Sequence, residues 1–122
     1  MKKIICFFTM LALCSNLYAV EMKVKVDMKD VIAAPVPLNP NTHVLSILNL
    51  PTECDSFTLE VFDATGDRVV TREYTTHNNV RWNGRNSFGK MVRTGMYIIK
   101  ITAKNTKNDS YGMKTIRILV RY

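Results

Sequence analysis

The sequence predicts an all-β fold, an antiparallel β-sandwich of about seven strands. Short runs of alternating apolar and polar residues recur at intervals of roughly 8–15 residues, with turn-forming residues between them. No stretch between these runs has the periodicity of an amphipathic helix. Regular short strands without intervening helices favour an antiparallel sandwich over a parallel sheet.

The first 19 residues have the features of a secretory signal peptide. Lys2 and Lys3 precede an apolar run, and Ala19 supplies a small residue before the cleavage point. A second interpretation, a lipoprotein cut before Cys14, places the bulky Leu13 where a small residue is needed. The apolar run is shorter than the roughly 20 residues of a membrane-spanning helix. We expect a protein that does not span the membrane and is exported to the periplasm, the outer-membrane surface or the cell exterior.

Net charge favours an acidic partner, and the predicted export and the lack of a recognition motif disfavour nucleic acid. Removing the two lysines of the signal from a formal net charge of +7 leaves +5 at neutral pH. A moderately basic exported domain favours contact with acidic surface polymers or lipid headgroups. Since the chain has no nucleic-acid recognition motif, we expect an envelope or secreted protein partner, with an acidic glycan or lipopolysaccharide as a further candidate.

The residues that carry chemistry are few and dispersed. Cys54 is the one cysteine outside the signal, so it has no partner for an internal disulfide. His43 and His77 are far apart in sequence and lack the spacing of metal ligands. Asp63 and Asp67 bracket a turn, where a calcium site would need about six oxygens, and a turn-forming role is preferred. The sequence therefore predicts a non-enzymatic domain with no catalytic, cofactor or metal site.

The N-terminal elements follow in order. Residues 22–29 alternate strictly between apolar and charged side chains, which predicts a half-buried strand. Three prolines mark the next stretch as an extended edge or crossover segment, because proline cannot donate to a ladder. We therefore expect an N-terminal strand and linker over residues 20–34 and the compact sandwich domain over residues 35–122. Within it, residues 44–50 and 57–61 predict the next two strands.

The C-terminal elements complete the sandwich. Gly66 favours a hairpin turn into a strand over Arg68–Tyr74, and a short strand then ends at Trp82. Alternating apolar residues predict a strand from Tyr97 and a last strand over residues 114–121. We expect the strands at residues 22–29 and 114–121 to be edges, and a partner to add a strand to one of them.

One motif is specific enough to indicate a family. A strand, a glycine-rich loop and a second strand contain Trp82, Asn83, Gly84, Arg85, Asn86, Gly89, Val92, Gly95 and Tyr97. Earlier in the chain come Leu38-Asn39-Pro40 and Val61-Phe62-Asp63 with Gly66 and Val69. Together these pieces resemble the immunoglobulin-like domain of the flagellar hook-capping protein, the FlgD-type Ig-like family. They are also similar to the C-terminal sorting domains of the bacterial type IX secretion system. The resemblance runs from residue 35 to about residue 120 and implies an immunoglobulin-like β-sandwich.

The motif has a structural interpretation. We expect Trp82 to be buried and to close one end of the sandwich. Asn83-Gly84 and Phe88-Gly89 suit tight turns with positive φ, and a side chain at Gly95 is expected to crowd the neighbouring strand. The residues interpreted as structural are Trp82, Asn83, Gly84, Gly89, Gly95 and Tyr97.

Four basic residues in the same region are candidates for partner binding. Arg81, Arg85, Lys90 and Arg93 are close in sequence and would form one basic patch if the loop folds back on itself. The sequence thus favours an exported, non-enzymatic Ig-like module with a structural or adaptor role, acting through protein–protein or cell-surface contacts. The alternative is a sorting or targeting domain whose last strand and Arg121-Tyr122 are read by a translocon.

Overall fold

The computed structural model describes residues 25–122 and contains seven strands, with no helix among those residues that could span a membrane. The strands are β1 (Ile32–Ala34), β2 (Leu45–Leu48), β3 (Ser56–Asp63), β4 (Arg68–Tyr74), β5 (Arg81–Trp82), β6 (Gly95–Asn105) and β7 (Ser110–Val120). They form a three-stranded sheet in the order β1-β2-β5 and a four-stranded sheet in the order β4-β3-β6-β7. All strand pairs are antiparallel. The predicted all-β antiparallel sandwich is confirmed, while the predicted signal peptide lies outside the described residues.

The core lies between the two sheets and follows from the alternation in the sequence. In β3 and β6 every second residue is buried, among them Phe57, Leu59, Ile99 and Ile101, whose side chains are fully covered. Side chains one position away face solvent or the outer surface, because successive residues of a strand point to opposite faces. Trp82 from the three-stranded sheet joins the same apolar cluster. One continuous core therefore holds both sheets together.

The longest hairpin joins β6 to β7. Their register runs without interruption over eleven pairs, from Gly95 opposite Val120 to Asn105 opposite Ser110. β7 has β6 on one side and forms an edge of the four-stranded sheet, as expected for the last strand. This long hairpin therefore presents the outer edge of β7, the side away from β6.

The predicted strand over residues 22–29 is wrong in its described part. Burial does alternate, since Met28 is buried and Val26 half-buried while Lys25 and Lys29 are exposed. The backbone, however, makes one bridge, parallel, between Lys25 and Tyr111. The chain then turns, and the Asp27 carboxylate accepts a hydrogen bond from the Lys29 N–H at 3.0 Å, which favours a turn over a ladder.

The segment from residue 25 to 38 connects the two sheets. Val26 donates its N–H to the Tyr111 carbonyl, so the segment starts beside β7. It then crosses to the other sheet, where β1 pairs with β2. At Leu38 it returns to β7 and forms a parallel bridge with Val120. The segment thus bonds through its backbone to the β7 edge at both ends. Between them it stays near β7, where the Lys114 side chain donates to the Lys29 carbonyl at 2.8 Å, but it makes no backbone hydrogen bond to that strand.

The close packing expected at Gly95 is found instead at Gly112. Gly95 was expected to prevent crowding, but a Cβ there would meet no atom within 4 Å, so that expectation is wrong. Gly112 has the crowded position instead, since its Cβ would lie 2.5 Å from the Val26 carbonyl oxygen. Sequence patterns do not indicate this contact, because it joins segments that are distant in the chain.

Candidate functional site

One end of the sandwich collects the longest loop of the described chain. There β3 ends, β4 and β6 begin and β7 ends, so the β3–β4 turn, residues 83–94 and the C-terminal residues meet. We call this part of the surface the loop end. Loops held by a rigid sandwich are the usual place for binding residues.

Trp82 and Tyr97 hold the two ends of the 83–94 loop. The Trp82 side chain is 2% exposed, and its Nε1 donates to the Arg85 carbonyl at 2.9 Å. Its ring lies 5.8 Å from the Tyr97 ring with an interplanar angle of 57°. The Tyr97 hydroxyl donates to the Arg93 carbonyl at 2.7 Å, so both aromatic residues also tie down the loop backbone. This geometry supports the structural interpretation of the two residues.

Gly84 and Gly89 supply the turn geometry expected of them, with φ of 76° and 83°. Asn83 begins the first turn, since its Oδ1 accepts the Arg85 N–H at 3.2 Å. At Gly84 the loop also packs closely on Pro40, because a Cβ there would lie 2.5 Å from the Pro40 Cβ. Gly89 has open space around it.

The tip of the loop is a small hairpin that exposes Phe88. Arg85 and Met91 form an antiparallel bridge, and Asn86 Oδ1 accepts N–H groups from Phe88 at 2.9 Å and Lys90 at 3.0 Å. The Arg85 guanidinium donates to the Gly89 carbonyl at 2.9 Å and closes the hairpin. Phe88 is 88% exposed. An apolar ring is therefore held in solvent by a fully hydrogen-bonded turn.

A cleft of about 490 Å³ lies between this hairpin and the β3–β4 turn. Its basic lining residues are Arg68, Lys90 and Arg93, and Phe88 lies at the rim. Arg68 pairs with Glu60 at 3.1 Å and lies over the Phe62 ring. Within residues 25–122, Lys90 and Arg93 make no ion pair, so their charges remain available to an anionic ligand.

The four basic residues singled out in the sequence are divided among different surfaces. Lys90 and Arg93 share the cleft, whereas Arg81 lines two other depressions beside β2 and β5. Arg85 is bonded into the hairpin. Arg68 lines the cleft from the β3–β4 turn and is not among the predicted residues, because it is distant in sequence from the 83–94 loop. The predicted β3–β4 hairpin is the feature that could have located Arg68 at this end of the sandwich.

Asp63 organises the β3–β4 turn at the opposite wall of the cleft. Its Oδ1 accepts the Thr65 hydroxyl at 2.6 Å and the N–H groups of Thr65 and Asp67, both at 3.0 Å. The Thr65 hydroxyl and then the Asp67 N–H hold the pKa of the Asp63 carboxyl below its ordinary value of 3.8. These hydrogen bonds agree with the turn-forming role expected of Asp63. Among residues 25–122 no group of three or more His, Cys, Asp or Glu side chains is placed to hold a metal ion.

Asp63→Asn is expected to reduce stability at neutral pH and much less at low pH. Because the folded state depresses the pKa, the carboxylate stabilises the fold above pH 3.8, and this stabilisation is lost as pH falls through the folded-state value. Asparagine keeps an oxygen acceptor but removes the charge. Urea denaturation at pH 7 and at pH 2–3 checks this, and an equal difference from the parent protein at both pH values would contradict it.

Cys54 lies in the core rather than on the surface of its turn. It is 6% exposed and belongs to the same apolar cluster as the strands. Burial, followed by the neighbouring Glu53 and Asp55 carboxylates, raises the pKa of its thiol. A buried thiol held in its neutral form is a poor nucleophile, so this residue acts here as a small apolar side chain.

A second candidate surface is the outer edge of β7. Tyr111 and Leu119 accept hydrogen bonds from Val26 and Leu38 on the side away from β6, at 2.8 and 2.7 Å. The N–H and C=O groups of successive residues in a strand point to alternate sides. The backbone groups of the odd-numbered residues between Tyr111 and Leu119 therefore also point away from β6. These residues are Met113, Thr115 and Arg117, and within residues 25–122 no backbone group bonds to their outer edge.

Comparison with known proteins identifies the family. The model of the FlgD Ig-like domain matches residues 41–107, more than half of the chain. The matched range covers β2 to β6 and includes the Trp82 and Tyr97 loop anchors. The predicted domain bounds of 35–122 and the similarity to type IX sorting domains stay predictions. Searches among curated proteins and among solved structures find no match. This chain belongs to the FlgD Ig-like domain family.

Proposed function

We propose that this domain is an exported, non-enzymatic adaptor that captures a protein partner by β-strand addition to the outer edge of β7. The family is one of structural Ig-like domains, which supports a structural role. The first 19 residues support export to the periplasm, the outer-membrane surface or the cell exterior. A second kind of partner, an acidic glycan or lipopolysaccharide, is supported by the basic cleft at the loop end.

The unpaired middle of β7 carries the proposal. Its outer N–H and C=O groups at Met113, Thr115 and Arg117 are what an incoming strand needs for a ladder. The contacts of Val26 and Leu38 at either side limit the partner to a short segment. Each hydrogen bond of such a ladder contributes roughly 0.5–1.5 kcal/mol net, so side-chain contacts must supply part of the affinity.

Side chains beside the open edge of β7 are placed to supply these additional contacts. Met113 is 50% exposed on the outer face of the sheet, opposite Thr102 of β6. On the same face Arg117 lies opposite Ile98. An extended peptide with an apolar and an acidic residue four positions apart would match this row, because side chains at i and i+4 lie on the same face of a strand.

The other sheet edges are less suited to a partner. β5 has two residues and β1 three, which is too short for a stable ladder. β4 pairs with β3 through a register irregularity between Val61 and Phe62, and the Val69 carbonyl already accepts the Ser87 N–H at 3.2 Å. Bulges and local covering are common protections of edge strands.

Thr115→Pro tests the proposal. Proline removes the outer N–H and fills the edge, yet the ladder to β6 loses no donor because the Thr115 N–H points outward. We expect partner recovery in crosslinked affinity capture from the parent cell envelope to fall at least about tenfold, the effect of losing one to two such bonds. Thr115→Ala is the matched control and should capture as the parent protein does.

Equal recovery by the proline variant with an unchanged melting temperature would contradict strand addition at β7. Recovery of secretion machinery would instead favour the sorting alternative, in which Arg121 and Tyr122 are read. In the structure those residues are tied down, since the Arg121 N–H donates to Leu38 and the Tyr122 hydroxyl donates to Val92. A reporter fused ahead of residues 35–122 separates the two functions: surface display supports sorting, and retention in the periplasm opposes it.

A further inference from the structure

Phe88 is the most exposed large apolar side chain of the described residues, with 88% of its surface in solvent. Single exposed apolar residues are ordinary on protein surfaces. Phe88 differs because its backbone position is fixed: its own N–H is bonded to Asn86, and the Gly89 carbonyl after it is bonded to Arg85. The fold thus holds the ring outward at the tip of a hairpin instead of letting it collapse onto the sandwich.

The surface around Phe88 is basic. Lys90 and Arg93 line the adjacent cleft, and neither is in an ion pair within residues 25–122. Arg85 and Arg121 are exposed at the same end of the sandwich. The acidic residues here are Asp63 and Asp67, which accept the hydrogen bonds of the β3–β4 turn. The loop end therefore combines a protruding aromatic ring with an excess of positive charge.

We propose that the loop end docks on an anionic lipid bilayer. Phe88 enters the boundary between headgroups and acyl chains, while Lys90 and Arg93 lie over headgroup phosphates. The positive charges complement an anionic membrane surface, where each nearby Lys or Arg raises binding about fivefold. A soluble polyanion would use the same charges but would leave the rigidly exposed ring without a contact, which is why the observations favour a lipid surface.

This docking is independent of strand addition at β7. Met113, Thr115 and Arg117 lie in the middle of that strand, whereas Phe88 and its basic neighbours lie at the end where β7 finishes. Both surfaces can therefore be occupied together. The failure of one proposal leaves the other intact.

Vesicle co-sedimentation of the purified protein tests the inference, with vesicles of equal parts phosphatidylglycerol and phosphatidylcholine and with phosphatidylcholine alone. We expect binding to the anionic vesicles only, weakening as salt rises toward about 0.5 M because the charges become screened. Phe88→Ala should reduce the partition coefficient at least about tenfold without changing the melting temperature, since the ring is exposed. The double variant Lys90→Gln, Arg93→Gln should reduce it by about 25-fold.

Two control variants make the result specific. Ile32→Ala removes a half-exposed apolar side chain from the other sheet, and Thr115→Pro alters the β7 edge; neither should change vesicle binding.

Phe88→Trp adds a reporter whose fluorescence should be quenched by spin-labelled lipid, whereas the fluorescence of the buried Trp82 should not be. Absence of binding, equal binding by Phe88→Ala, or no quenching of the new tryptophan would overturn the inference. Binding that soluble polyglutamate abolishes and that does not depend on Phe88 would identify a polyanion site in its place.

Discussion

Trp82→Ala is expected to lower the free energy of unfolding by about 3–5 kcal/mol, the usual cost of removing a large aromatic side chain from a core. The residue is 2% exposed and packs at 5.8 Å against the Tyr97 ring. Its loss also leaves the Arg85 carbonyl without the indole N–H that it accepts at 2.9 Å. Because a domain of this size has a total stability of roughly 5–15 kcal/mol, the variant should be close to unfolding at 37 °C. Urea denaturation followed by far-UV circular dichroism measures the change.

Phe88→Ala is the matched control, because it removes an aromatic side chain of the same loop that is 88% exposed. It should change the unfolding free energy by less than about 0.5 kcal/mol, as surface substitutions usually do. Trp82→Phe should fall between the two, since it keeps most of the buried area but loses the indole donor. A similar small effect for Trp82→Ala and Phe88→Ala would contradict the role of Trp82 as the anchor of the loop.

Gly84→Ala is expected to have the second largest effect, about 2–5 kcal/mol when the cost of positive φ and of overpacking are combined. Gly84 has a φ of 76°, which costs a residue with a Cβ about 1–2 kcal/mol. The new Cβ would also lie 2.5 Å from the Pro40 Cβ, so the loop must move away from the start of the domain. Equilibrium unfolding in urea gives the size of the effect.

Gly89→Ala isolates the first contribution, the cost of positive φ. Gly89 has a φ of 83° in the same loop, but a Cβ there would meet nothing within 4 Å. It should therefore cost only the conformational share, about 1–2 kcal/mol. If the two alanine variants were equally destabilised, the close contact between Gly84 and Pro40 would have no energetic weight.

The sequence predicts strands well where burial of one face makes apolar and polar residues alternate. β3 begins and ends within two residues of its predicted bounds because one of its faces must be apolar, and β4 matches the strand predicted after the Gly66 turn. β1 was expected only as an extended segment, since Ile32–Ala34 is too short to show a period. The strand predicted over residues 22–29 is wrong in its described part because alternation does not require a ladder. The burial of Met28 produces an alternating pattern although no neighbouring strand pairs along the segment.

The candidate surfaces depend on contacts between distant residues, which a single sequence does not contain. Arg81 and Lys90 are close in the chain, yet they lie in different depressions because the loop leaves β5 and returns into the opposite sheet. The open part of β7 is defined by where Val26 and Leu38 contact it from more than 80 residues away. What the sequence does show is the motif that builds the loop.

Amide hydrogen exchange of the free protein and of its complex with the captured partner is the most direct test of strand addition. In the free protein the outward amides of Met113, Thr115 and Arg117 should exchange fast, whereas Lys114 and Ile116, which face β6, should be protected. In the complex the three outward amides should become protected as well. Protection of these amides before the partner is added, or fast exchange that persists in the complex, would contradict the proposed use of the β7 edge.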